Sequence, residues 1–255
     1  MHLAILMTNT DSGDFADSHP KDGEKFTNLV HMVRPGWEVS VFPVKDGEFP
    51  DDIAGFDGAM ITGSPASVRG DHDWIPPLLQ LIRDMNDKRH PLFGACFGHQ
   101  AIALALGGSM AQNPKGWVHG LTHNTIVARP EWGQDLPDQV GLYGSHIECV
   151  TDLPKGAVQI AESDTMITGF AMGNHIYTTQ HHPEMSHGFI SALTEELRST
   201  LGPEVFERAI ESLQAQSDQQ VFAESIARFF EQGRRWSTVR ASTHPTPGSQ
   251  RHQSV

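Results

Sequence analysis

The amino-acid sequence predicts an α/β domain: a doubly wound, mostly parallel sheet with helices on both faces and a short antiparallel extension. Three features predict it. Short aliphatic runs alternate with helix-period segments up to Leu106, the pattern of right-handed βαβ crossovers. Five β-type runs then follow one another, without helices, between residues 122 and 179. After Pro183 the chain becomes helical again.

In order, residues 2–7 form an aliphatic run that ends in the polar stretch TNTDSG, a buried strand feeding a loop. Residues 26–33 have helical spacing, and residues 37–42 alternate as a strand does. Residues 57–61 are again strand-like and run into a turn at Thr62, Gly63, Ser64 and Pro65. The apolar positions 75, 78, 79, 81, 82 and 85 mark one face of a helix. Residues 90–95 supply another buried strand, and an Ala- and Leu-rich helix covers 100–106. The later β-type runs are 122–128, 140–143, 157–162, 168–172 and 176–179, expected as an antiparallel or mixed extension. Helices are expected over 189–201, 203–213 and 219–230.

With 255 residues, 38% of them apolar and 24 glycines, the chain has ample material for a buried core. Residues 1–232 read as one domain, and 233–255, rich in Ser, Thr, Pro, Gly, Arg and His, as a disordered tail. Lys and Arg total 18 against 31 Asp and Glu, a net charge of −13, so neither nucleic acid nor an anionic membrane is an expected partner. Two cysteines exclude a disulfide-stapled scaffold and suit a reducing compartment. The amino terminus lacks a basic n-region, and no apolar stretch approaches the ~20 residues needed to cross a bilayer. A cytoplasmic location is expected.

The segment GACFGHQ, residues 94–100, carries the chemistry. A buried strand runs into it and a helix leaves it, and glycines stand two before and two after Cys96. Those glycines remove side chains where a sharp turn presses backbones together, the logic of a nucleophile elbow with sulfur in place of oxygen. The thiol then projects from the turn at a helix N-terminus, where the dipole favours its thiolate. The N–H of Phe97 is free to serve as an oxyanion donor. Core packing is the alternative reading of any lone cysteine, and it is the one adopted for Cys149, which has no such setting.

A cysteine nucleophile needs a base and a group that orients the base. Among 15 histidines the best placed lies in TQHHPEM, residues 179–185, after a strand and before a helix. His182 and Glu184 flank Pro183, whose fixed φ stiffens the turn and lets the carboxylate reach one ring nitrogen while the other faces the thiol. The alternatives for His181 and His182 are a solvated loop pair, or a metal site with Glu184 that lacks further ligands at a motif spacing. The segment ITGSPAS, residues 61–67, ends another presumed parallel strand, where ligands bind in open α/β sheets. The Gly63 N–H is a candidate second oxyanion donor. Arg69, Lys88 and Lys115 are candidates for a local positive patch, with solvated surface as the other reading. Trp74 and Trp117 are candidates for a pocket wall, with packing as the other reading.

Together these segments resemble the class I glutamine amidotransferases, a family with a Cys-His-Glu triad on a flavodoxin-like sheet. GACFGHQ is similar to that family's G-x-C-x-G-x-Q elbow, QHHPE to its Q-x-H-P-E element, and ITGSP to its oxyanion loop. The segment from Ser145 to Gly156 resembles the stretch lining its glutamine pocket, with Ser-His-Ile-Glu where Ser-His-Gly-Asp is common. The resemblance spans about residues 1–200. It implies Cys96 as nucleophile, His182 as acid and base, and Glu184 as the residue orienting it. It implies the main-chain N–H groups of Gly63 and Phe97 as the oxyanion hole. Gln100 and the main chain near Ile147 and Glu148 would hold the α-amino and α-carboxylate groups of a γ-glutamyl substrate. His181 stands where an aromatic residue is common.

At 255 residues the chain has no room for a synthetase domain, so the pattern is most similar to the stand-alone branch related to the glutaminase domain of GMP synthetase. That branch also contains γ-glutamyl peptidases. The expected reaction is hydrolysis of a γ-glutamyl amide, glutamine to glutamate plus ammonia, through a γ-glutamyl thioester, without cofactor or metal. A synthetase partner would then take the ammonia. The alternatives are a γ-glutamyl peptidase acting without a partner, and a non-catalytic binding module of the same fold.

Overall fold

The structure is a computed structural model that describes residues 1–163 and 166–242. Nine strands form one sheet and two form another. The chain begins with β1 (His2–Leu6), the single turn α1 (Asp14–Asp17), α2 (Asp22–Val33), β2 (Glu38–Phe42) and β3 (Gly58–Ile61). It continues through α3 (Ile75–Lys88), β4 (Leu92–Ala95), α4 (Phe97–Ala105) and β5 (Ser109–Gln112). Then come β6 (Val118–Ile126), β7 (Gln139–His146), β8 (Glu148–Asp152), β9 (Val158–Ser163), β10 (Met166–Met172) and β11 (Ile176–Thr179). The helices α5 (His187–Glu196), α6 (Arg198–Ser212) and α7 (Gln219–Ser242) close the described chain.

The large sheet has the order β2-β1-β3-β4-β11-β10-β9-β6-β7. Its first five strands are mutually parallel, and from β11 onward each neighbouring pair is antiparallel. This is the flavodoxin-like architecture that the sequence predicts. The period-2 alternation of β1 shows how both faces are covered. Leu3 and Ile5 join one core with Phe26, Leu29, Phe222 and Phe229 of α2 and α7. Ala4 and Leu6 join the other with Leu78, Ile82 and Ile102 of α3 and α4. Arg34, just past α2, ties α7 down through Glu224 at 2.9 Å and Glu231 at 2.6 Å.

The structure refines several sequence expectations. The β-type run ending at Thr179 is not part of the antiparallel extension on both sides. β11 lies parallel to β4, with Thr179 opposite Ala95, and antiparallel to β10. Two strands escaped the sequence reading, β5 and β8, which pair with each other outside the main sheet. Both are short, and neither carries a long apolar run. β6 starts at Val118, four residues before the expected run, because its polar and histidine positions pair along the whole of β7. The helical segments after Pro183 break at Leu197, and a second kink falls at Gly202, whose φ of 72° leaves helical space just before Pro203. Of the tail expected over 233–255, residues 233–242 continue α7 and 243–255 lie outside the described residues. Among the described residues no helix is long and apolar enough to cross a membrane.

Candidate active site

Cys96 is the residue between the end of β4 and the first turn of α4, with φ of 51° and ψ of −105°. A non-glycine residue in that region is strained by roughly 1–3 kcal/mol and persists only where its surroundings over-determine it. The surroundings here are backbone. The Cys96 N–H donates to Thr179 O of β11 at 2.9 Å, and Gly98 N donates to Thr62 O at 3.2 Å. A Cβ on Gly98 would lie 2.5 Å from Ile61 O, and one on Gly94 would lie 2.7 Å from the Gly98 carbonyl. Both flanking glycines are therefore required for the elbow to seat between β3 and β4.

The loop after β3 is held by a residue that the sequence reading missed, Thr8. Its hydroxyl lies 3.0 Å from both Thr62 O and Gly63 O and shares its one proton between them, and its N–H donates to Thr62 Oγ1 at 2.9 Å. Thr8 and Thr62 are fully buried. This pinning brings Gly63 against the other candidates. A Cβ at Gly63 would sit 2.8 Å from His182 Cε1 and 3.7 Å from Cys96 Cβ.

His182 arrives by topology. Because β11 is parallel to β4 and in register at Thr179 and Ala95, the residues following both strands emerge at the same sheet end. The His182 N–H is fixed to Tyr143 O of β7 at 2.8 Å. Its Nδ1 lies 2.7 Å from Glu184 Oε1, and both side chains are buried. Burial alone lowers the pKa of the imidazole; the Cys96 sulfur and then the Glu184 carboxylate outweigh it and hold the ring well above its ordinary range. The structure thus brings Cys96, His182, Glu184 and Gly63 together. Phe97 follows directly at the start of α4, buried against Trp74 with ring centroids 5.4 Å apart.

The remaining histidines near His182 are neutral by the same physics. Burial and the charge of His182 push His146 down to about 3, and burial above all, with repulsion from His182 and from the neighbouring rings were they protonated, takes His181 well below its ordinary range. His181 is therefore a buried neutral ring rather than a solvated one. Among the described residues, no group of three or more His, Cys, Asp or Glu is arranged to hold a metal ion.

The residues expected around the α-groups also converge. Gln100 Nε2 donates to Glu148 O at 2.9 Å and to Gln180 Oε1 at 3.3 Å. Ile147 O accepts from Asn113 N at 2.7 Å, which joins the turn between β7 and β8 to the end of β5. Arg69 forms an ion pair with the Glu148 carboxylate. Lys88 instead ends α3, leading into the opposite end of β4, and is exposed. Trp74 is core, whereas Trp117 lines the cavity that also holds Gly63, Cys96, Ser145 and His182. Cys149 is buried in β8, and burial followed by the charge of Glu148 raises its pKa.

A strained cysteine elbow, a glycine loop and a His-Glu pair at one end of a flavodoxin-like sheet define a class of protein, and the sequence comparisons agree with it. Residues 23–193 match the family described as glutamine amidotransferase class-I, and the chain belongs to that family. It is 34% identical over 157 residues to γ-glutamyl peptidase 5 of Arabidopsis thaliana, a match covering 58% of this chain and 62% of that protein. It is 30% identical over 250 residues to a glutamine amidotransferase-like protein of Schizosaccharomyces pombe, covering 89% and 98%. A glutamine amidotransferase structure from Thermotoga maritima superposes with a TM-score of 0.71 at 17% identity, covering 90% of this chain and 96% of that one. Family and relatives together mark a hydrolase-type enzyme.

Proposed function

We propose that the protein hydrolyses a γ-glutamyl amide bond through a thioester on Cys96. The observation that carries the reading is the convergence of Cys96, His182, Glu184 and Gly63 from three separate stretches of chain. The Cys96 sulfur adds to the γ-carbonyl carbon, and the oxyanion is met by the N–H groups of Gly63 and Phe97. One such donor is worth ~2.7–4 kcal/mol in acyl-transfer sites. The carbon–nitrogen bond then breaks, and the His182 imidazolium gives its proton to the leaving amine. Water attacks the thioester with its proton passing to His182, and collapse of that intermediate releases glutamate and the sulfur. Glu184 fixes the tautomer and stabilises the imidazolium. Gln100 and the main chain at Ile147 and Glu148 hold the α-amino and α-carboxylate groups.

With glutamine as substrate the product is ammonia, and a synthetase partner would consume it. With a γ-glutamyl peptide or amide no partner is needed. The relatives named γ-glutamyl peptidase favour this second reading. A survey of glutamine and γ-glutamyl dipeptides, with glutamate quantified and Cys96→Ala as blank, tests the proposal. Glutamate release confined to the unaltered protein is expected; equal release by the variant would overturn it.

A further inference from the structure

The cavity that contains Cys96 and His182 extends far beyond them, to a volume of about 430 Å³. We propose that it receives the leaving amine of the substrate, and that this amine bears an aromatic or similarly bulky apolar group without a carboxylate. The inference rests on the γ-glutamyl hydrolase reading and deepens it by assigning the other half of the substrate.

Position comes first. Gln100, Ile147 and Glu148, which would hold the glutamyl end, do not line this cavity. The Gln100 amide is engaged with Glu148 O and Gln180. If those residues hold the glutamyl end, with Ser145 at the boundary between the two halves, the cavity would take the part of the substrate beyond the bond that breaks. Size is decisive against ammonia alone. A water-sized molecule needs only about 10–15 Å³ of such space, whereas sites for drug-sized ligands run to roughly 300–1,000 Å³.

The wall states the chemistry. Phe15 packs against His19 with ring centroids 4.2 Å apart, and both pack against Phe189 of α5 at 5.7 and 5.5 Å. Met185, Leu193 and Leu197 extend this surface. These are groups that gain by covering an apolar ring. The three lysines in the wall are already taken: Lys21 by Asp17 at 2.6 Å, Lys25 by Asp22 at 2.9 Å, and Lys45 by Asp46 at 2.8 Å. Lys25 is further held 3.5 Å above the centre of the Phe189 ring. Asp11 also lines the cavity, and its carboxylate accepts only the Gly13 N–H among the described contacts. A carboxylate on the leaving group would therefore lose water, find no unpaired lysine and face Asp11.

Three substrates test the proposal with the unaltered protein: γ-glutamyl phenethylamide, γ-glutamylphenylalanine, which adds a carboxylate to the same ring, and glutamine. The expected kcat/KM for the phenethylamide exceeds each of the others by about tenfold or more, the scale of one apolar contact set. Phe189→Ala is expected to lower the phenethylamide-to-glutamine ratio by about tenfold. Glutamine or the dipeptide matching the phenethylamide would overturn the assignment while leaving the hydrolase reading standing, and so would an unchanged ratio in Phe189→Ala. No glutamate from any of the three would overturn the hydrolase reading and this inference with it.

Discussion

His182 Nδ1 and Glu184 Oε1 are 2.7 Å apart across a single proline. The contact is local in sequence, yet its use depends on a strand pairing between segments 84 residues apart, β4 and β11, which sets the imidazole beside Cys96. Replacing Glu184 by Gln keeps the shape and removes the charge. The expected result is a drop in kcat with a shifted acid limb in its pH profile, because the imidazolium loses one of the two groups that hold its proton. An unchanged profile would show that the carboxylate does not act on His182.

Gly63→Ala places a methyl group 2.8 Å from His182 Cε1. The ring must move, and misplacement of a reacting group by about 1 Å costs on the order of 10²-fold. A kcat reduced to that degree, with a melting temperature close to the parent's, is the expected outcome. Gly98→Ala differs, since its methyl meets the backbone oxygen of Ile61 at 2.5 Å. Overpacking against backbone costs about 1–3 kcal/mol, and denaturant titration should show the loss directly.

Thr8→Val removes the hydroxyl whose proton Thr62 O and Gly63 O share. Each carbonyl keeps a second donor, Gly98 N for Thr62 O and Thr62 Oγ1 for Gly63 O, so the loss is that of one hydrogen bond, about 0.5–1.5 kcal/mol. Stability and kcat should fall together, since the same loop carries the Gly63 N–H. Loss of stability with full kcat would show that the loop holds its place without Thr8.

Acid should unfold the protein early. Burial, its leading cause in each, pushes His99 and His146 down to about 3 and His119 and His175 down to about 4. These rings are neutral in the fold but take protons near pH 6.5 once unfolded. Their stability is complete above about pH 6.5 and drains away as pH falls toward 4. His182 runs the other way: with a raised pKa its contribution is full below about pH 6.5 and is lost as pH rises through its folded value. His90 and His181 are lowered too, burial again leading, so six rings oppose one and the urea midpoint should drop as pH falls from 6.5 to 4. A flat midpoint would mean that the buried rings are protonated in the fold.

Much of this was legible in the sequence because the chemistry imposes spacing. Gly94 and Gly98 mark the elbow around Cys96 through close backbone contacts that a side chain would clash with, and His182, Pro183 and Glu184 make their contact within one turn. The rest depends on contacts remote in sequence. Thr8 looks like any polar residue after a strand until Thr62 is placed beside it. The role of β11 as the parallel neighbour of β4 is invisible in its own four residues, IYTT, which suit either strand direction. β5 and β8 are too short and too mixed for periodicity to reveal. The aromatic wall of Phe15, His19 and Phe189 joins the α1 turn and the residues after it to a helix some 170 residues away, a relation that only folding creates.

The central proposition is that Cys96 carries the acyl group, and trapping that group tests it most directly. The protein is quenched in acid during turnover of a γ-glutamyl amide, digested, and examined by mass spectrometry. A γ-glutamyl adduct on the peptide bearing Cys96, absent from Cys96→Ala, is the predicted result. An adduct on another residue, or undiminished glutamate release by Cys96→Ala, would contradict it.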